Sequence, residues 1–122
     1  MGRWLRRWGW VHCIDPALLE MDFGAWDGRL WNDLSREGID AWCADFADHA
    51  PGGGEALSAM LERTARWVPA TATATGTPAV VVAHAGWLSG RRWINASRHA
   101  LPMADQWPVP PRYGELWLLP LD

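Results

Sequence analysis

The amino-acid sequence predicts an α/β fold, and three observations carry that expectation. Three short runs, residues 10–14, 79–83 and 115–119, read as β-strands. Stretches with helical spacing of apolar residues separate them, as in a sheet covered by helices. The most apolar run, Val80-Val81-Val82, passes through Ala83-His84-Ala85-Gly86 into a second helical pattern. His84 therefore stands at a strand-to-helix turn, the end of a sheet where ligands bind in open α/β folds.

Each element has its own justification. Trp4, Leu5 and Trp8 lie at helical spacing among Arg3, Arg6 and Arg7, and Gly9 stops the pattern. The last turns of a domain helix explain this better than an amphipathic segment lying on a membrane. The strand expected at 10–14 ends at Asp15-Pro16. Residues 18–34 are punctuated by Gly24 and Gly28, so their first half reads as loop and their second half as the start of a helix. Ile39, Trp42, Cys43, Phe46 and Ala47 form a helical stripe. The run 49–54, ending in three glycines, breaks it. From Glu55 a second helix presents Leu57, Met60, Leu61, Thr64 and Val68 on one face. A Thr/Ala/Gly stretch at 70–78 leads into the central strand, with Thr77-Pro78 as its start signal. Trp87, Leu88, Arg91, Ile94 and Ala96 then mark one broad face of the following helix. The proline-rich stretch after Ser97 reads as loop up to the last strand.

Composition narrows the function classes. The chain has 122 residues, enough for one domain, and 49% of them are hydrophobic, which excludes a disordered chain. Net charge is −3, so nucleic acid is not an expected partner. All 11 basic residues are arginine, and Arg3, Arg6 and Arg7 are too few to make a polyanion-binding surface. Cys13 and Cys43 show no metal-ligand spacing and are expected to be free, buried thiols in a reducing compartment. The basic N-terminus lacks the continuous apolar stretch of a signal peptide, and no run is long enough to cross a membrane. A cytoplasmic protein without membrane attachment is the expectation.

Two polar residues stand out from apolar or glycine-rich settings. Glu20 lies among Leu18, Leu19, Met21 and Phe23, a setting that would suit a carboxyl to donate a proton near neutral pH. An exposed loop glutamate fits the same residues. His84, among small neighbours that let a ligand approach the backbone, could bind an anion with the help of the following helix N-terminus. It could equally cap that helix. Gly86-Trp-Leu-Ser-Gly90 is not a nucleophile elbow, because its serine is displaced by one position.

Taken in order, Leu18-x-Glu20-x-x-Phe23-Gly24-x-Trp26-Asp27-Gly28, then Pro51-Gly-Gly-Gly-Glu55, then Val80 to Gly86 resemble the histidine phosphatase superfamily, in its phosphoglycerate-mutase-like branch. Residues 41–57 look most like the α-ribazole phosphatase group. The resemblance implies a three-layer sheet-and-helix fold and hydrolysis of a small phosphate ester through a phosphohistidine, with no metal and no cofactor. It assigns Glu20 as proton donor, His84 as a phosphate-contacting histidine, and the Ala85-Gly86 backbone as further phosphate contacts. It also implies a nucleophilic histidine in an Arg-His-Gly motif, and these 122 residues contain no such tripeptide. His12, His49 and His99 do not replace it: none follows an apolar strand into a tight turn. The chain thus reads as a single but N-terminally incomplete domain, inactive alone. With the nucleophile strand missing, residues 79–83 would form an open sheet edge able to bind a second copy or a partner chain. A non-catalytic phosphate-ester-binding or interaction module is the alternative.

Overall fold

The computed structural model describes residues 2–69, 79–97 and 100–119. Among these residues there are α-helices and 3-10 turns but no β-strand. The α/β expectation, its three-layer sheet and its open sheet edge are therefore overturned. The runs at 10–14, 79–83 and 115–119 lie outside any helix or strand. A strand needs a hydrogen-bonded neighbour about 4.8 Å away as well as β-forming side chains. These runs have the side chains without the neighbour. They leave apolar groups in water: Val80 is 88% exposed, Val82 56% and Leu118 96%.

The helices are α1 (Gly2–Arg7), α2 (Arg36–Ala44), α3 (Leu57–Arg66) and α4 (Ala85–Ser97). Short 3-10 turns at Pro16–Leu18, Gly24–Trp26, Trp31–Asp33, Pro51–Gly53 and Ala104–Gln106 join or follow them. α1 forms where its spacing predicts it, with Leu5 half-buried and none of its residues fully buried. Ser35 starts α2 by accepting the Gly38 N–H on its hydroxyl, 3.1 Å away. The helix begins later than residues 18–34 suggested, and its stripe runs past its end to Phe46 and Ala47.

α3 and α4 pack against each other and form the centre of the molecule. α3 buries Leu57, Met60, Leu61 and Thr64, the face its sequence predicts, whereas Val68 falls beyond its end and is exposed. α4 turns Trp87, Ser89, Gly90 and Arg91 inward, so its buried face is only partly the predicted one. A Cβ at Gly90 would lie 3.2 Å from the Met60 methyl and 3.3 Å from Leu61, so a larger residue there would make both side chains give way. Met21 completes the buried cluster, and Phe23, Trp42, Phe46, Trp93, Ile94 and Trp107 pack around it. The Arg91 guanidinium, also buried, donates to the carbonyls of Thr64 (2.8 Å) and Trp67 (3.1 Å) and so caps the C-terminus of α3. Burial lowers its pKa from the ordinary arginine value. Cys13 and Cys43 are free, as expected, but both are exposed rather than buried.

Candidate functional site

The loop after the 3-10 turn Pro16–Leu18 carries Glu20, and side chains from distant elements fix that loop. Asp15 starts the turn by accepting the Ala17 N–H at 2.9 Å, and its second oxygen accepts the Trp67 indole N–H at 2.7 Å. The Ala17 carbonyl accepts two donors, the indole N–H of buried Trp87 (2.8 Å) and the Arg63 guanidinium (3.0 Å). Arg63 also donates to the Leu19 carbonyl at 2.8 Å. Irregular backbone that would otherwise need a sheet is satisfied here by side chains.

Glu20 projects from this loop onto the start of α4. Its Oε2 accepts the Gly86 N–H at 2.9 Å, and Oε1 accepts the Met21 N–H at 3.0 Å. The setting is more polar than its apolar sequence neighbours suggested, since Leu19 itself is exposed. Gly86 explains its own identity: the three atoms nearest to a Cβ placed there all belong to the Glu20 carboxylate. An alanine would push that carboxylate off the amide. The glycine of His-Ala-Gly and the glutamate of Leu-Leu-Glu are thus two halves of one contact, 66 residues apart in sequence.

His84 immediately precedes α4, and its carbonyl accepts the Leu88 N–H at 3.0 Å, closing the first helical turn. Its side chain is exposed, and its ring makes no hydrogen bond among the described residues. Ala85, also exposed, is the first residue of α4. The structure therefore brings Glu20, His84, Ala85 and Gly86 to one end of α4. A helix N-terminus presents unpaired N–H groups and partial positive charge, and here a carboxylate already rests on one of them. His12, whose ring nitrogen lies 3.1 Å from the Trp10 carbonyl, and His49, at the end of the α2 region, belong to other segments. His99 and the strand-start signal Thr77-Pro78 lie outside the described residues.

The two glycine motifs also meet. The turn at Gly24–Trp26 packs backbone to backbone on the turn at Pro51–Gly53. A Cβ at Gly24 would strike the Gly52 carbonyl, one at Gly52 the Phe23 carbonyl, and one at Gly54 the Asp22 carbonyl. The Glu55 N–H donates to the Asp22 carbonyl at 2.7 Å, and the Asp22 N–H donates back to Glu55 Oε2 at 3.2 Å. Sequence reasoning missed the partner that completes this seam, Arg63, which holds the Glu55 carboxylate with its Nη2 2.9 Å from Oε2. Nothing in the pattern of α3 singles Arg63 out. Among the described residues no three His, Cys, Asp or Glu side chains converge to hold a metal ion. No described helix is long and apolar enough to cross a membrane.

Known proteins are similar to this chain in sequence. The adenosylcobalamin/alpha-ribazole phosphatase of Salmonella typhimurium is 33% identical over 98 residues, which is 77% of this chain and 47% of the relative. Its Escherichia coli namesake is 38% identical over 58 residues, 45% of this chain and 29% of the relative. The chain spans at most about half the length of these relatives. No solved structure matches it significantly. The sequence profile of the histidine phosphatase superfamily (branch 1) matches residues 4–111, and the chain belongs to that superfamily.

Proposed function

We propose that this chain is the acid-bearing part of a phosphomonoesterase that works through a phosphohistidine. Glu20 is the proton donor, the His84 ring contacts the phosphoryl group, the backbone N–H of Ala85 receives a phosphoryl oxygen, and that of Gly86 receives one once the Glu20 carboxyl that it holds gives the amide up to the substrate. One observation carries the reading: the Glu20 carboxylate rests on the Gly86 N–H, two residues past His84, at the start of α4. A phosphoryl group seated on that helix end lies beside the carboxyl that must protonate the departing oxygen.

In the complete reaction a histidine nitrogen attacks phosphorus, the ester P–O bond breaks, and Glu20 gives its proton to the leaving oxygen. Glu20, now a carboxylate, then takes a proton from the water that attacks phosphorus. The P–N bond breaks and phosphate leaves. These 122 residues contain no Arg-His-Gly tripeptide, the motif that carries the attacking histidine in the family. Without its nucleophile, a site of this kind retains only what binding and charge stabilisation supply. The isolated chain therefore binds a phosphate ester without turning it over. The Salmonella and Escherichia coli relatives make α-ribazole phosphate the first ester to try.

The test is paired. Titration of the 15N-labelled chain with inorganic phosphate and a nucleoside monophosphate should give saturable shifts at Ala85 and Gly86, lost in His84→Ala. p-Nitrophenyl phosphate should not be hydrolysed. No shift at the start of α4 sinks the binding reading. Turnover that falls in His84→Ala, with a trapped phosphoenzyme, sinks the reading of an inactive chain.

A second reading, a module that docks on a second copy or a partner chain, draws on the exposed apolar side chains of Val11, Ile14, Val80, Val82, Leu116 and Leu118. A monodisperse monomer in sizing chromatography, with no stoichiometric partner recovered, counts against it.

A further inference from the structure

The ion pair between Glu55 and Arg63 does more than join a loop to a helix. Both side chains are mostly buried, with 21% and 25% exposure. Arg63 Nε and Nη2 lie 3.2 and 3.1 Å from Glu55 Oε1, and Nη2 reaches Oε2 at 2.9 Å, so the guanidinium meets the carboxylate as a fork. Its remaining nitrogen, Nη1, donates to the carbonyls of Ala17 and Leu19. On the other side, Glu55 receives the Asp22 N–H and gives its own N–H to the Asp22 carbonyl. The main chain is therefore gripped on both sides of residue 20 by the two ends of one ion pair. Neither Arg63 nor Glu55 has a hydrogen bond to the Glu20 carboxylate, whose bonds go to Met21 and Gly86.

We infer that Glu55 and Arg63 are positioning residues that set the Glu20 carboxylate at the start of α4. The inference rests on the reading of Glu20 as the proton donor, but the geometry can be tested without turnover. A loop around Glu20 with no such grip would let the carboxylate wander, and a carboxyl displaced by an ångström no longer meets the oxygen it must protonate. The planar fork explains why the device uses arginine. Five donors in one plane serve two carboxylate oxygens and two carbonyls at once, which an ammonium group does not. Purely structural anchoring of α3 does not require the pair, since the helix is already held by Leu57, Met60, Leu61 and Thr64 on its buried face. The Ala17 carbonyl has a second donor in Trp87, so the Leu19 carbonyl, next to Glu20, is where the loss of Arg63 is felt most.

The reporter is the Gly86 amide of the 15N-labelled chain, because it donates to Glu20. Glu20→Ala calibrates it by removing the acceptor: the amide proton moves upfield and exchanges faster. In Arg63→Lys and in Glu55→Gln the Gly86 amide should follow, with exchange faster by about ten-fold, while amides in the middle of α3 and α4 keep their protection. Lysine should not rescue the arginine. If Glu20→Ala leaves the Gly86 amide unchanged, the Glu20 contact itself is wrong and the proposed function fails with it. If Glu20→Ala moves it but Arg63→Lys and Glu55→Gln do not, the positioning inference alone is overturned. Uniform loss of protection across α3 and α4 in both variants overturns it too, because that is the behaviour of an ion pair that serves only stability.

Discussion

Replacing Gly86 by alanine separates two accounts of the start of α4 by the sign of the stability change. If Gly86 is an ordinary helix residue, alanine should stabilise the fold, by up to about 1 kcal/mol on helix propensity. If the Glu20 carboxylate rests on its N–H, the new Cβ meets that carboxylate and displaces it. The obstacle is the flexible end of a side chain, so the cost is the lost hydrogen bond rather than a rigid clash. A charge-assisted bond of this type is worth about 1.5–3 kcal/mol, and partial exposure of Glu20 places it at the lower end. Set against the propensity gain, Gly86→Ala should cost roughly 0.5–1 kcal/mol in the native background. In a Glu20→Ala background nothing remains to be displaced, and the same substitution should stabilise by up to about 1 kcal/mol. The coupling read from the double-mutant cycle is then about 1.5–2 kcal/mol. Urea unfolding followed by circular dichroism and tryptophan fluorescence resolves this, since about 1–2 kcal/mol per molar denaturant turns the coupling into a midpoint difference near 1 M. Equal effects of Gly86→Ala in the two backgrounds, within about 0.5 kcal/mol, would refute the Glu20–Gly86 contact.

Other expectations follow from the packing and the charges. Met60 is 0% exposed between α3 and α4, so Met60→Ala should lower stability by about 2–5 kcal/mol in thermal or urea melts. Arg91→Met keeps much of the volume but strands the Trp67 carbonyl and leaves the Thr64 carbonyl only the Trp67 N–H, so it should cost about 2 kcal/mol and speed amide exchange in the last turn of α3. Glu115 has its pKa lowered, first by the Arg112 backbone N–H, then by the Trp117 indole N–H, with a further contribution from the charge of Arg92. A carboxylate with a depressed folded pKa stabilises above its ordinary pKa, and that stabilisation is lost as pH falls through the folded value. Acidification should therefore release Trp117 and change its fluorescence, a transition that Glu115→Gln should abolish.

The sequence made some of this legible and hid the rest for physical reasons. The buried face of α3 could be read because burial in a helix repeats at a fixed spacing, and Leu57, Met60, Leu61 and Thr64 keep it. Glu20 and His84 stood out by motif, and the structure brings Glu20 to the helix that His84 precedes. The strands failed because an apolar, β-branched run such as Val80-Val81-Val82 states what its side chains favour, not whether a neighbour is there to pair with. Arg63 stayed hidden because its role depends on the carbonyls of Ala17 and Leu19, 46 and 44 residues away, and any arginine on that helix face looks alike in sequence. Arg91 was read as part of an amphipathic face. Its capping role emerges only once α4 lies across the end of α3.

The glycine seam divides the positive-φ glycines into two groups with different freedom to drift. Gly28 and Gly53 have positive φ but open space around them, so asparagine, which accepts that conformation, is an allowable replacement at either. Gly24 and Gly52 share the positive φ, yet each faces the other turn's main chain, which has nowhere to retreat. No other amino acid satisfies both demands, so mutation at those two positions parts the turns and frees the Asp22–Glu55 latch that borders the Glu20 loop.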